Sequence, residues 1–168
     1  MVVQDEPVTT GVVMPASLLA RIAEEIDSCR IIKLEEAPTP PKVTQIRKLA
    51  GPSVKIFGGL GGAYFFEELS RGADGIMTGF AFPEILVDIY GKFAAGRRGE
   101  AAAIFDRYAS LIRYEAQQGI GLALRKEILR RRGAIRTAVI RAPGPTMDEV
   151  TRRELDDILR RTGLEATR

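Results

Sequence analysis

Short apolar segments alternate with helical patterns through the first half of the chain, and this regular alternation most constrains the fold. RIIKL (30–34), SVKIF (53–57) and DGIMTGF (74–80) follow one another at nearly equal spacing, and a helical pattern follows each. A further strand end, MVVQ (1–4), precedes a helix predicted over 15–28. Strands joined by helical crossovers run parallel. The first half therefore predicts an α/β fold, with either an open doubly wound sheet or a closed (β/α) barrel.

The second half of the chain has helical patterns only, from residue 85 to residue 164. Helices are predicted over 100–118, 121–133 and 146–163. The last of them is expected to begin with a capping box between Thr146 and Glu149. In the first half, DEPVTTG (5–11) predicts a loop because of its proline and glycine.

The residue types that are missing exclude several classes of chemistry. Histidine is absent and Cys29 is the only cysteine, which rules out Ser-His-Asp and Cys-His catalysis, imidazole metal sites and thiolate zinc sites within this chain. We therefore expect no metal and no cofactor. A net charge of +3 does not indicate a nucleic-acid partner. No apolar run approaches the roughly 20 residues that span a bilayer, so a membrane partner is not expected either.

The strand around Lys33 carries the main candidate site. Side chains alternate along RIIKLEE (30–36), so Ile32 and Leu34 share the face that helices should cover. Lys33 and Glu35 share the other face, near the carboxyl end of the strand, where sites of α/β folds lie. A desolvated lysine can act as a neutral amine and form a Schiff base with a keto acid, and Glu35 could shuttle protons. The alternative is a structural ion pair at the mouth of the strand.

Two further patterns, GGLGG and a basic segment, could have either a binding role or a purely structural role. The amides of GGLGG (58–62) could cradle a carboxylate or phosphate at a helix start, and the alternative is a turn that only glycines can form. The basic segment 125–136 has no aromatic residues interleaved for nucleic acid. A solvated helix face is the expected role of that segment.

The order of several motifs resembles that of a known family. The motifs are VVQDEPVTTG, IIKLEEAP, VKIFGGLGG and RGADGIMTGFAFPE, followed by three helical segments. They resemble the dihydrodipicolinate synthase and N-acetylneuraminate lyase family over almost the whole chain. The resemblance implies a (β/α)8 TIM barrel of about 250 residues or more. This chain resembles the part from the end of strand five to strand eight, over residues 1–95, and a C-terminal helical extension over 96–168.

The resemblance also implies an activity and partners. Family members form a Schiff base between a lysine on strand six and pyruvate or a related keto acid, and many are homotetramers. The chain is accordingly expected to be a cytoplasmic lyase of the aldolase type that binds a small keto acid. Its expected partner is a further copy of itself, or the N-terminal half-barrel that the resemblance does not cover.

The match departs from the family pattern at its site positions. Gln4 stands at a tyrosine position and Thr9 at an arginine position, while Thr10 is kept. Glu35 stands where the Schiff-base lysine belongs, and Lys33 lies two residues earlier on the same face, about 6–7 Å deeper along the strand. The predicted catalytic residues are Lys33 and Glu35, and the predicted substrate-binding residues are Gln4, Thr9, Thr10, Gly58, Gly59 and Thr78.

Three hypotheses remain open from the sequence. The first is a divergent keto-acid lyase or aldolase that uses Lys33. The second is a non-catalytic family member that acts as a binding or scaffold protein, which the residues at positions 4 and 35 favour. The third is a truncated half-barrel, because half a barrel leaves two open strand edges.

Overall fold

The computed structural model describes residues 1–164, which fall into two compact units. The first unit spans Met1–Thr78, and the second begins at Gly79. In the described residues no helix is long and apolar enough to cross a membrane. The predicted boundary between a barrel part, residues 1–95, and a helical extension, residues 96–168, stays a prediction.

The first unit contains the parallel sheet that the alternating pattern predicts. Its strands are β1 (Val2–Asp5), β2 (Ile31–Leu34), β3 (Lys55–Gly58) and β4 (Gly75–Ile76). They are paired in chain order, and every neighbouring pair is parallel. An α/β fold with a parallel sheet is therefore confirmed.

Helices connect the strands of the first unit. They are α1 (Pro7–Thr10), α2 (Ala16–Glu25), α3 (Thr39–Ala50) and α4 (Phe65–Ser70). Ile32 and Leu34 of β2 are fully buried in a core with Leu19 of α2 and with Val43 and Ile46 of α3. This burial confirms the prediction that Ile32 and Leu34 face the helices. Because side chains alternate along β2, Lys33 lies on the opposite face.

The prediction of a loop over residues 5–11 was wrong at its centre. Pro7–Thr10 form the single helical turn of α1, with proline at its start. The Glu6 carboxylate accepts a hydrogen bond from the Thr9 amide at 2.8 Å and caps the turn. Gly11 ends it with a φ of 69°. The same proline and glycine that indicated a loop are also the residues that begin and end a short helix.

A charged cluster ties α3 to the segments beside β3 and β4. The Arg47 guanidinium donates to the carbonyls of Val54 at 2.7 Å and Gly72 at 2.7 Å, and to the Asp74 carboxylate at 2.6 Å. Asp74 also accepts from the Ile56 amide at 2.9 Å. Burial would raise the pKa of Asp74, but its hydrogen bonds hold that pKa below its ordinary value. One ionised pair thus satisfies several backbone groups that the strands leave open.

The second unit is helical in its described part, as the sequence predicts. Its helices are α5 (Pro83–Ala94), α6 (Arg98–Glu115), α7 (Gly121–Arg131) and α8 (Glu149–Thr162). The predicted capping box between Thr146 and Glu149 was wrong. Asp148 is the N-cap of α8 and accepts from the Thr151 amide at 2.7 Å. An aspartate in this position competes well with a threonine two residues earlier, and α8 ends at Gly163 as predicted.

Glu115, the last residue of α6, fixes the segment that enters α5. Its side chain is almost fully buried, and the Ala81 amide donates to both carboxylate oxygens at 3.0 and 3.2 Å. Arg125 of α7 lies 3.2 Å away as an ion pair. Burial raises the pKa of Glu115 to about 7, although Ala81 and Arg125 act in the opposite direction.

We predict that Ile32→Ala destabilises the first unit strongly and Ile31→Ala only weakly. The Ile32 side chain is fully buried, whereas Ile31 lies on the other face and is partly exposed. Truncating a buried isoleucine costs about 2–5 kcal/mol of unfolding free energy. Urea denaturation followed by circular dichroism measures both variants. Equal losses in the two variants would contradict the assignment of the faces.

We also predict that Glu115→Gln weakens the pH dependence of stability. The folded pKa of Glu115, about 7, lies above its ordinary value of 4.5, so the folded state binds the proton more tightly. The stability from this proton is fully present below pH 4.5 and is lost as pH rises through 7. Urea midpoints from pH 4.5 to 8 should therefore fall less in Glu115→Gln than in the wild type. Glu100→Gln, at an exposed glutamate of α6, is the control and should leave the wild-type slope unchanged.

Candidate functional site

The candidate site lies at the carboxyl ends of β1, β2 and β3, on the sheet face opposite the helices. Strand register places Gln4 of β1 beside Lys33 of β2, and Lys33 beside Phe57 of β3. Glu35 follows β2 directly. Because adjacent parallel strands end at the same edge, their last side chains on one face come together. We call Gln4, Lys33 and Glu35 the inner-face cluster.

The Glu35 carboxylate is the centre of the inner-face cluster. Its Oε2 lies 3.0 Å from the Lys33 Nζ and accepts a hydrogen bond from the Gln4 Nε2 at 2.6 Å. Its Oε1 accepts from the Leu60 amide at 3.3 Å. The predicted residues Gln4, Lys33 and Glu35 are therefore brought together, and a backbone amide of GGLGG joins them.

The Lys33 and Glu35 side chains are largely, but not fully, removed from solvent. Their exposed fractions are 21% for Lys33 and 13% for Glu35. A charge pair at this depth is screened much less than one on the surface. Part of each side chain therefore remains in contact with solvent.

The two predicted binding glycines are required by close approach of other side chains. A Cβ on Gly59 would lie 2.2 Å from the Cγ of Glu35, so a side chain at this position would displace Glu35. A Cβ on Gly58 would lie 1.7 Å from the Oε2 of Glu68, on the helix side of the sheet. Both the binding and the turn interpretation of GGLGG remain open, because a turn in contact with Glu35 fits either.

The predicted threonines have different surroundings. Thr9 and Thr10 are exposed in α1, and the Thr10 hydroxyl is used locally, donating to the Glu6 carbonyl at 2.9 Å. Thr78 follows β4, and its Oγ1 is buried without a hydrogen-bond partner among the described residues. The contacts of Thr9 and Thr10 are thus local, whereas the Thr78 hydroxyl is buried and has no hydrogen-bond partner in the described part of the chain.

The sequence reasoning missed a buried acid beside the cluster. Glu68 of α4 is 1% exposed, and its Oε1 accepts from the Thr39 hydroxyl at 2.5 Å. Burial raises the pKa of Glu68 to about 7, against the effect of the Thr39 hydrogen bond. A signal was present in the sequence. Phe65, Glu68 and Leu69 lie at helical spacing on one face, and a charged residue on an apolar face is unusual.

A second missed network lies on the helix side of β1. Lys42 of α3 contacts the Asp5 carboxylate at 2.7 Å and also pairs with Glu36. Asp5 is fully buried, and burial raises its pKa although Lys42 opposes the shift. These charges compensate one another, so we regard this network as structural. In the described residues no group of three or more acidic or cysteine side chains is arranged to hold a metal ion.

Comparison with known proteins identifies the family. The family model described as "Dihydrodipicolinate synthetase family" matches residues 1–162. The chain belongs to this family. The match extends over both units. The two units and the order of their motifs are therefore shared with the other members of the family.

Individual relatives agree with this assignment. The L-2-keto-3-deoxyarabonate dehydratase of Azospirillum brasilense is 32% identical over 162 residues, which cover 96% of this chain and 52% of the relative. The crystal structure of dihydrodipicolinate synthase from Rhodopseudomonas palustris is 39% identical, with a TM-score of 0.90, over 95% of this chain and 55% of that one. The synthase structure from Thermotoga maritima, at 22% identity and a TM-score of 0.86, covers 98% of this chain and 56% of that one. This chain therefore spans about half the length of the relatives that it matches.

We predict that Gly59→Ala disturbs the inner-face cluster. The new methyl group would meet the Cγ of Glu35, so the carboxylate must move away from Gln4 and from the Leu60 amide. The expected loss is about 1–3 kcal/mol of unfolding free energy, with a shifted Leu60 amide resonance in 15N NMR.

Gly91→Ala is the matched control for this prediction. Gly91 lies within α5, and a Cβ there meets no atom within 4 Å. The alanine should stabilise the helix by about 1 kcal/mol. If Gly59→Ala behaves like Gly91→Ala, the close packing of Glu35 on the turn is wrong.

Proposed function

We propose that this family member supplies the Schiff-base half of a keto-acid lyase, in which Lys33 is the reacting amine and Glu35 the proton-transfer group. The observation that carries the proposal is the 3.0 Å contact between the Lys33 Nζ and the Glu35 Oε2 on the face opposite the helices. The family pattern expects the amine at position 35. The long Lys33 side chain reaches from two residues deeper and brings its nitrogen beside that position.

The proposed chemistry uses Glu35 twice. The carboxylate first takes a proton from the Lys33 ammonium, and the neutral amine then attacks the keto carbon and forms a C–N bond. The carbonyl oxygen takes one proton from the attacking nitrogen and one from Glu35, and it leaves as water. The resulting iminium is an electron sink. It accepts the electron pair of a C–H or C–C bond at the neighbouring carbon, which is the step that dehydratases and aldolases of this type share.

The remaining predicted residues would hold the substrate. Gln4 and the Leu60 amide supply hydrogen-bond donors that now bind Glu35 and could turn to a substrate carboxylate. The buried Thr78 hydroxyl has no partner among the described residues and could bind a substrate oxygen. Thr9, Thr10 and Gly58 are retained as binding candidates at the rim, with Gly58 acting through its backbone.

The proposed substrate class follows from the names of the relatives. The relative from Azospirillum brasilense is named for a 2-keto-3-deoxy sugar acid, and the one from Rhodopseudomonas palustris is named as a dihydrodipicolinate synthase. We propose a small 2-keto acid. We also propose that the sheet is part of a (β/α)8 barrel, from the end of strand five to strand eight. A second copy of this chain, or the preceding half-barrel, would complete the site.

A second candidate is a non-catalytic binding member of the family. It is favoured by the way Lys33, Gln4 and the Leu60 amide together satisfy the Glu35 carboxylate without a ligand. Such a protein would bind a keto acid in the same place and leave it unchanged. The keto acid would raise the melting temperature of such a protein and would form no covalent adduct with it.

We predict that borohydride reduction in the presence of pyruvate traps an adduct on Lys33. The mass of the peptide that contains Lys33 should rise by the mass of pyruvic acid less one oxygen atom, because water is lost and two hydrogens are added. Glu35→Gln should slow trapping by about 100-fold or more, since it removes the proton-transfer group. Mass spectrometry after digestion measures both effects.

Lys55→Arg is the control for Lys33→Arg in this experiment. Lys55 lies on the same face of the sheet, at the start of β3, and is held by Asp74 at 2.8 Å. Lys33→Arg should abolish the adduct and Lys55→Arg should leave it intact. If neither pyruvate nor 2-keto-3-deoxyarabonate gives an adduct with the wild type, the lyase proposal fails. A melting shift without an adduct would then support the binding member.

A further inference from the structure

Two carboxyl groups hold the glycine turn after β3 from opposite sides. Gly58 is paired with Leu34 and shares the helix side of the sheet with it. There the Glu68 carboxyl occupies the space of a Gly58 side chain, 1.7 Å from where its Cβ would be. On the other face, Glu35 occupies the space of a Gly59 side chain, 2.2 Å from its would-be Cβ. The turn therefore cannot move without displacing one of the two acids.

The surroundings of Glu68 fit a neutral carboxyl group better than a carboxylate. The Thr39 hydroxyl at the start of α3 contacts Oε1, whereas Oε2 is buried against Gly58 with no hydrogen-bond partner in the described part of the chain. The charged groups that act on it are Glu67 on its own helix and Glu35 after β2, and both are acidic. From α3 and β3 it faces Thr39 and Gly58, neither of which is charged.

We propose that Glu68 is a positioning residue for the inner-face cluster. Its uncharged carboxyl, lodged between Thr39 and Gly58, holds the turn of residues 58–60 so that the Leu60 amide stays on Glu35. Ionisation of Glu68 places an unpaired charge in a buried site, which is costly. The carboxylate then leaves Gly58 for solvent, the turn loosens, and Glu35 loses its amide donor.

The two acids on the turn are coupled. A negative charge on Glu35 disfavours a second negative charge on Glu68 and so helps to raise the pKa of Glu68. The pKa of Glu68, raised by burial to about 7, places the release of the turn near neutral pH. The cluster is thus organised below that pH and loosened above it.

The first test measures the turn itself and does not depend on the proposed activity. The Leu60 amide resonance is followed in 15N NMR from pH 5 to pH 9. In the wild type it should shift with a midpoint near 7, and in Glu68→Gln, which mimics the neutral acid, this transition should disappear. In Glu67→Gln, at an exposed neighbour on the same helix, the transition should remain but move to lower pH, because one of the charges that raise the Glu68 pKa is gone. A wild-type Leu60 amide without a transition, or one that persists in Glu68→Gln, would overturn the proposal.

The second test uses the catalytic readout and rests on the proposed function. Rates of adduct trapping on Lys33 are compared between Glu68→Gln and the wild type across the same pH range. Above pH 7 the neutral fraction of Glu68 falls about tenfold per pH unit. The rate in Glu68→Gln relative to the wild type should therefore be near one at pH 5.5 and rise by up to about tenfold per pH unit above pH 7.

The two tests separate failure of this inference from failure of the proposed function. A constant ratio of rates at all pH values would reduce Glu68 to a structural residue and overturn the positioning role. If no adduct forms at any pH, the lyase proposal fails, and the Leu60 transition alone decides the role of Glu68. Glu35→Gln adds a check on the coupling. It should lower the pKa of the Glu68 carboxyl in 13C NMR, because the opposing charge is gone.

Discussion

The alternation of side chains along β2 is the constraint on which the rest of the first unit depends. Ile32 and Leu34 are fully buried against α2 and α3, and this burial sets which way the strand faces. If β2 were shifted by one residue in the sheet, both side chains would lie on the face away from the helices and Lys33 would be buried under the helices. The free energy of the core therefore places a lysine and a glutamate on the opposite face, where the cluster with Gln4 forms.

Around this strand, charges are placed so that each meets a partner or is neutralised. Arg47 and Asp74 bind backbone groups beside β3 and β4, and Lys42 balances the buried Asp5. Glu68 differs because no cation among the described residues faces it, whereas Asp5, which also has one oxygen without a hydrogen bond, is paired with Lys42. Structural acids in this unit are paired. The unpaired one lies against the turn that touches the candidate site, and this contrast supports a functional role for it.

Much of the fold followed from the sequence, and so did the centre of the site. The strands, the helical second half and the pairing of Lys33 with Glu35 were predictable because the periods of two and 3.6 residues are local properties. The α1 turn and the cap of α8 were mispredicted because proline, glycine, threonine and aspartate serve both loops and helix ends. Glu68 was missed because its role depends on contact with Thr39 and Gly58, which are distant in sequence.

By itself the sequence determined the class of fold, the family resemblance and the absence of histidine chemistry, since these depend on residue types and on spacing along the chain. Only the tertiary structure decided that the Lys33 nitrogen reaches the position of Glu35, that Gly58 and Gly59 make room for two acids, and that Thr9 and Thr10 lie in a short helical turn capped by Glu6. The physical reason is that distances, burial and charge partners between residues far apart in the chain are set by packing, which no local pattern encodes.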